Sequence, residues 1–61
     1  MDKDFFTEAQ EAELRNLKAH FPYRIVWGAV DQNGTFEAQA THDRRRLNKY
    51  LRAGWLVVTI G

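Results

Sequence analysis

The chain has neither cysteine nor serine among its 61 residues. The first absence excludes a disulfide framework and thiolate metal sites, and it fits a reducing compartment. The second excludes a seryl nucleophile. Histidine is scarce as well. His20 and His42 stand far apart, whereas a metal centre wants three or four clustered ligands. No glycine-rich phosphate loop is present, because Gly28, Gly34, Gly54 and Gly61 are isolated from one another. The longest apolar segment, Trp55 to Val58 continuing to Ile60, has the length of a strand and falls far short of a membrane span. The opening MDKDFFTEAQ mixes charges and has no apolar core of the secretory type. These absences predict a soluble, cytoplasmic protein with no membrane contact, no metal and no cofactor. General acid–base chemistry needs a carboxylate or a histidine held in a pocket. Asp31, Glu37 and Asp43 instead suit a turn, an edge strand and a helix cap, so the chain is not expected to be an enzyme.

What is present reads as one small domain, residues 1–61. A chain of this length buries only about 60% of the surface that its unfolded form exposes. Its core must therefore come from aliphatic and aromatic side chains, or be completed by a partner. Thr7 with Gln10 has the capping-box pattern of a helix start. At about 100° per residue, Phe6, Gln10, Leu14, Leu17 and Phe21 form one stripe. Glu11 and Arg15 stand four apart outside it, an orientation that favours pairing. The helix is expected to stop before Pro22. Tyr23 to Val30 is β-branched, aromatic and nearly continuous in apolar residues, which predicts a central strand covered on much of both faces. Gly28 within it marks a bulge or a close approach by another backbone.

Asn33-Gly34 supplies the residues most able to take positive φ, a hairpin signal. Thr35 to Thr41 alternates cleanly, with Phe36, Ala38 and Ala40 facing one way. Thr41 or Asp43 caps a second helix, and Gly54 ends it. Leu47, Tyr50 and Leu51 share its apolar side, and Trp55 to Ile60 forms the last strand. The order α-β-β-α-β predicts an α+β fold: a three-stranded antiparallel sheet, strand order 2-1-3, with the helices packed mainly on one face. That arrangement leaves the other sheet face open, an aromatic and β-branched patch fit for a partner or for a homodimer seam. The alternative cover is a partial layer formed by Phe5 and Phe6.

Net charge is only +1, but its distribution is uneven. Residues 42–61 carry Arg44, Arg45, Arg46, Lys49 and Arg52 against Asp43, while residues 1–22 are mildly acidic. On a helix, Arg45, Lys49 and Arg52 align along one solvent face with Asn48 between them, and Arg44 and Arg46 sit on the flanks. Such a row can neutralise phosphates, with Asn48 reading a base edge. The plain alternative is a solvated face whose aliphatic stems cover the domain's edge, with the acidic first helix as counter-charge.

The unit Phe36-Glu37, Ala40-Thr41 with Asp43, and Ala53-Gly54-Trp55 leading into Val57-Val58-Thr59 resembles small early host-takeover proteins of lytic bacteriophages. Among these, the chain is similar to the short inhibitors of host RNA polymerase, which have a β-β-α-β order. The resemblance covers residues 23–60 at most. This chain differs in its additional N-terminal helix and in a second helix that is basic rather than acidic. The resemblance implies a compact, non-enzymatic module that binds and disables a host bacterial protein or complex, such as a polymerase, a nuclease or a defence complex. The expected contact residues are Arg44, Arg45, Asn48, Lys49 and Arg52, with Trp27 and Trp55. A small nucleic-acid-binding protein using the same helix is the alternative, as monomer or homodimer.

Overall fold

The computed structural model describes residues 6–60. Phe5, considered as cover for the sheet, lies outside the described residues, as do the charges at Asp2, Lys3 and Asp4. Helix α1 (Glu8–His20) starts as its capping box predicts. Gln10 N–H donates to Thr7 Oγ1 at 3.1 Å, and Thr7 N–H donates to Gln10 Oε1 at 2.9 Å. Both amides would otherwise lack a partner. The helix stops ahead of Pro22, with Phe21 N–H on Leu17 O at 2.8 Å. Glu11 and Arg15 do not close to an ion pair; both are exposed, where holding two long side chains together gains little.

Strand β1 (Ile25–Val30) is two residues shorter than the apolar run. Arg24 N–H turns back to Phe21 O at 3.1 Å and draws Tyr23 into a turn, where its side chain is 97% exposed. Lys18 Nζ holds this turn to α1 by donating to Pro22 O and Arg24 O at 3.1 and 3.4 Å. The hairpin that follows is built by Asp31 as much as by Asn33-Gly34. Asp31 Oδ1 accepts from the Asn33 and Thr35 amides at 2.9 and 2.8 Å. Gly34 takes φ +85°, while Asn33 stays at negative φ. The connection is thus a three-residue loop with glycine at its left-handed position, not the two-residue turn.

Strand β2 (Phe36–Thr41) and strand β3 (Leu56–Ile60) flank β1, giving the predicted antiparallel order β2-β1-β3. Trp27 stands opposite Gln39 on one side and Thr59 on the other. The helices, however, do not share a face. A Cβ added at Gly28 would stand 2.9 Å from Leu14 Cδ2 and 3.3 Å from Phe36 Cε1. The row Val26, Gly28, Val30 therefore faces α1, with Phe36 edge-on to Phe6 at 5.5 Å between ring centres. Ile25, Trp27 and Ala29 lie on the other side, since successive strand residues point to opposite faces, and they pack with Leu47, Tyr50, Trp55 and Val57. Helix α2 (Arg45–Arg52) supplies Leu47 and Tyr50 to that cluster.

The molecule is a three-layer stack, helix on sheet on helix, and the one-face expectation is corrected. The reason lies in β1, which is apolar in both rows and needs a cover over each. The expected bulge at Gly28 is also absent, because the ladder to both neighbours runs unbroken through it. What approaches closely is the side chain of Leu14 and not another backbone.

Candidate functional site: the cationic face of the second helix

Two anchors orient α2. Leu47 is fully buried, and the Tyr50 ring sits between Trp27 and Trp55 at centroid distances of 5.2 and 4.7 Å. Residues three apart on a helix share a face, so this pair fixes which arc points outward. Leu51, expected to pack inward, is 48% exposed. The buried arc is narrower than the wheel suggests: Leu47 and Tyr50 join the core cluster with β1 and β3, and Leu51 does not.

The opposite arc carries Arg45, Asn48, Lys49 and Arg52, all exposed and lining one shallow depression of about 250 Å³. Arg44 is the exposed N-cap residue. Arg46 turns towards β2. There Gln39, Thr41, Asp43, Arg45, Arg46 and Lys49 line an open groove of about 470 Å³. Of the five residues expected here, Arg45, Asn48, Lys49 and Arg52 share one depression, whereas Arg44 precedes the helix and lines neither hollow.

The start of α2 uses both candidate caps in relay. Asp43 N–H donates to Thr41 Oγ1 at 3.4 Å, and Arg45 N–H donates to Asp43 Oδ1 at 3.0 Å. Arg44, at the N-cap itself, makes no side-chain cap bond. The Arg45 amide holds the Asp43 carboxyl below its ordinary pKa; desolvation opposes this, and the Arg45 side chain adds to the lowering. The Arg45 guanidinium also meets Asp43 Oδ2 at 3.3 Å, with side chains 92% and 54% exposed. An ion pair so exposed to water is worth little. It is the one contact ion pair among the described residues, and the described acids of α1 make none with α2. The sheet stands between the two helices, so the expected counter-charge from α1 is not delivered by contact.

Trp27 is 1% exposed and belongs to the core. It cannot touch a partner of the folded protein, which corrects its place among the contact residues. Burying both rows of β1 is what takes it inside. Its Nε1 and the Oε1 of the facing Gln39 are both buried without a hydrogen-bond partner. Trp55 is half-buried and lines, with Lys49, Tyr50 and Ala53, a small cleft of about 140 Å³ at the edge of the cationic face.

Gln39, the groove-lining role of Thr41 and the place of Arg46 beside β2 were not expected from the sequence. The alternation of β2 places Gln39 and Thr41 together on its polar row, but with both helices assigned to one face that row had no neighbour. As built, the site is cationic, hydrogen-bonding and wide open, shaped to meet a surface and not to enclose a small molecule. Among the described residues no three histidine, aspartate or glutamate side chains gather as metal ligands, and no helix is long and apolar enough to cross a membrane. No protein-family model matches the chain, and comparison with curated proteins and with solved structures gives no match.

Proposed function

We propose that the chain is a non-enzymatic binding module that attaches to an acidic surface of a host protein through α2 and blocks it. This is the mode implied by the resemblance of its hairpin–helix–strand unit to small phage early proteins. The observation that carries the reading is the position of the cations. Arg44, Arg45 and Arg46 crowd the start of α2, and its first turn holds no acid. That is the positive end of the helix dipole, where anions stabilise and cations cost a comparable amount, about 0.3–1 kcal/mol each at an exposed site. A sequence that breaks a local rule in this way does so where function needs it. Asp43 is the one carboxylate set against these three arginines, and an acidic partner supplies further negative charge. Protein is favoured over nucleic acid because Glu37 and Asp43 lie on the same side of the molecule as the groove and interrupt a track for phosphates.

A second reading has its own observation. Arg45, Lys49 and Arg52 with Asn48 share one exposed depression, a row suited to phosphates with an amide placed between them. The two readings separate in one pair of experiments. The first is capture from nuclease-treated bacterial lysate by the wild type and by an Arg45→Glu/Lys49→Glu/Arg52→Glu variant. The second is fluorescence anisotropy with labelled duplex DNA and single-stranded RNA at two salt concentrations. The expected result is a host protein retained by the wild type and lost from the variant, with flat nucleic-acid titrations. Tight binding at low salt that collapses at higher salt and vanishes in the variant would replace the proposal with the nucleic-acid reading. Equal capture by a variant with native circular dichroism would remove α2 from the interface.

A further inference from the structure

We propose that the outer edge of β2, beside the cationic groove, takes an extended acidic segment of the partner as a fourth strand. This rests on the reading above and specifies the form in which the partner binds. The argument begins with the backbone. Asp31 N–H donates to Thr35 O at 3.1 Å, which makes those two residues a hydrogen-bonded pair. Such pairs alternate along an antiparallel ladder. Glu37, Gln39 and Thr41, facing Ala29, Trp27 and Ile25, are therefore the β2 residues bonded to β1. The amides and carbonyls of Phe36, Ala38 and Ala40 point away from the sheet, and β2 is its terminal strand. By the same alternation only Val57 and Thr59 face outward on β3, the opposite edge.

Edges are usually blunted by proline, a bulge, lysine or a covering segment. β2 is six residues long with no proline, no lysine and an unbroken ladder. Its one charged residue is Glu37, which sits near the turn. Among the described residues no further strand pairs with this edge, where the groove begins.

The groove then sets the chemistry of the incoming strand. Alternate side chains of an added strand point to the α2 side, where Gln39 and Thr41 form the floor and Arg45, Arg46 and Lys49 the wall. The one carboxylate there, Asp43, is already engaged by the Arg45 amide. Acidic residues fit opposite Gln39 and Thr41. Opposite Glu37 an acid is repelled, so the segment is neutral or basic at that end. The other row of the added strand lies alongside Phe36, Ala38 and Ala40 and suits small apolar residues. The occupant is an extended segment alternating acidic and apolar residues. Its main chain provides affinity, and its alternate side chains provide specificity.

The test uses labelled peptides and the intact chain. The probes are a peptide alternating glutamate and valine, its lysine–valine counterpart, and the glutamate–valine peptide N-methylated at its valines. In an antiparallel pairing the valine amides face β2 when the glutamates face α2. The glutamate–valine peptide is expected to bind and the lysine–valine peptide to fail. N-methylation, an Arg46→Glu/Lys49→Glu variant, and Ala38→Pro should each weaken binding about tenfold or more, the equivalent of one or two lost hydrogen bonds. Proline is tolerated on an edge where its missing N–H faces outward; should Ala38→Pro fail to fold, the N-methylated peptide decides the matter on the unaltered protein. Amide exchange at Ala38 and Ala40 should slow on binding. Equal affinity for the N-methylated peptide, with Ala38 and Ala40 unprotected, would overturn the added strand and leave the cationic-face reading standing. Failure of every peptide, with host-protein capture intact, would do the same. Nucleic-acid binding in place of peptide binding would overturn both.

Discussion

Asp43 caps α2 from the position before the N-cap. Its carboxylate accepts the Arg45 amide that the N-cap residue Arg44 leaves unbonded. This bond is the main reason that its pKa lies below the ordinary value. A depressed folded-state pKa means that the unfolded chain takes up the proton first. The contribution of Asp43 is therefore complete above the unfolded value of about 3.9, and it is lost as pH falls through the lower folded value. The Arg45 amide resonance should titrate with a midpoint below that of an ordinary aspartate, and Asp43→Asn should abolish the titration. A midpoint at or above the ordinary value would contradict the assignment. Trp27 and Trp55 make a second contrast at this scale. Both read as aromatic residues of strands, yet one is buried and the other half-buried. Trp27 lies in the middle of the central strand, whereas Trp55 precedes an edge strand.

At the scale of elements, the seat of α1 depends on Gly28. Leu14 occupies the space where a side chain would begin. Gly28→Val should destabilise the protein by about 1–3 kcal/mol through overpacking, and Leu14→Ala by about 2–5 kcal/mol through the cavity left behind. In urea denaturation the double variant should lose clearly less than the two losses added together, because the smaller side chain makes room for the larger one. Strict additivity would mean that the contact does not limit packing. For α2 the dipole argument gives the opposite sign. Arg46→Glu puts an acid in the first turn and should raise stability by about 0.3–1 kcal/mol, while weakening attachment to an acidic partner. A loss of stability in that variant would show that Arg46 packs against the groove floor more than it strains the helix.

At the scale of the molecule, the two cores share one strand. α1 buries Leu14 against one row of β1, and α2 buries Leu47 against the other. Neither helix has a second wall of its own. Losing one layer leaves a face of β1 exposed and removes support from the layer across the sheet. Tryptophan fluorescence, which reports the α2 side, and far-ultraviolet circular dichroism, which also reports α1, should therefore give coincident unfolding curves in urea. Curves that separate would mean that one helix detaches independently. The three layers also close the route to a homodimer through an open sheet face, because no face of β1 is left uncovered.

Much of this was legible in the residues, and the reason is range. The Thr7–Gln10 capping box, the stop before Pro22, the alternation of β2 and the order of strands rest on contacts within a few residues or on the connectivity of a hairpin. The cationic run of α2 is likewise written in consecutive positions. The side of the sheet that each helix takes is a different kind of fact. Periodicity marks a row as apolar without naming what covers it. That choice was made when the whole chain had to bury both rows of β1 at once. The continuous apolar run from Ile25 to Val30 already asked for two covers; assigning both helices to one face ignored that demand. From the true placement follow the burial of Trp27, the separation of α1's acids from α2, and the groove in which Gln39 and Thr41 meet Arg46 and Lys49.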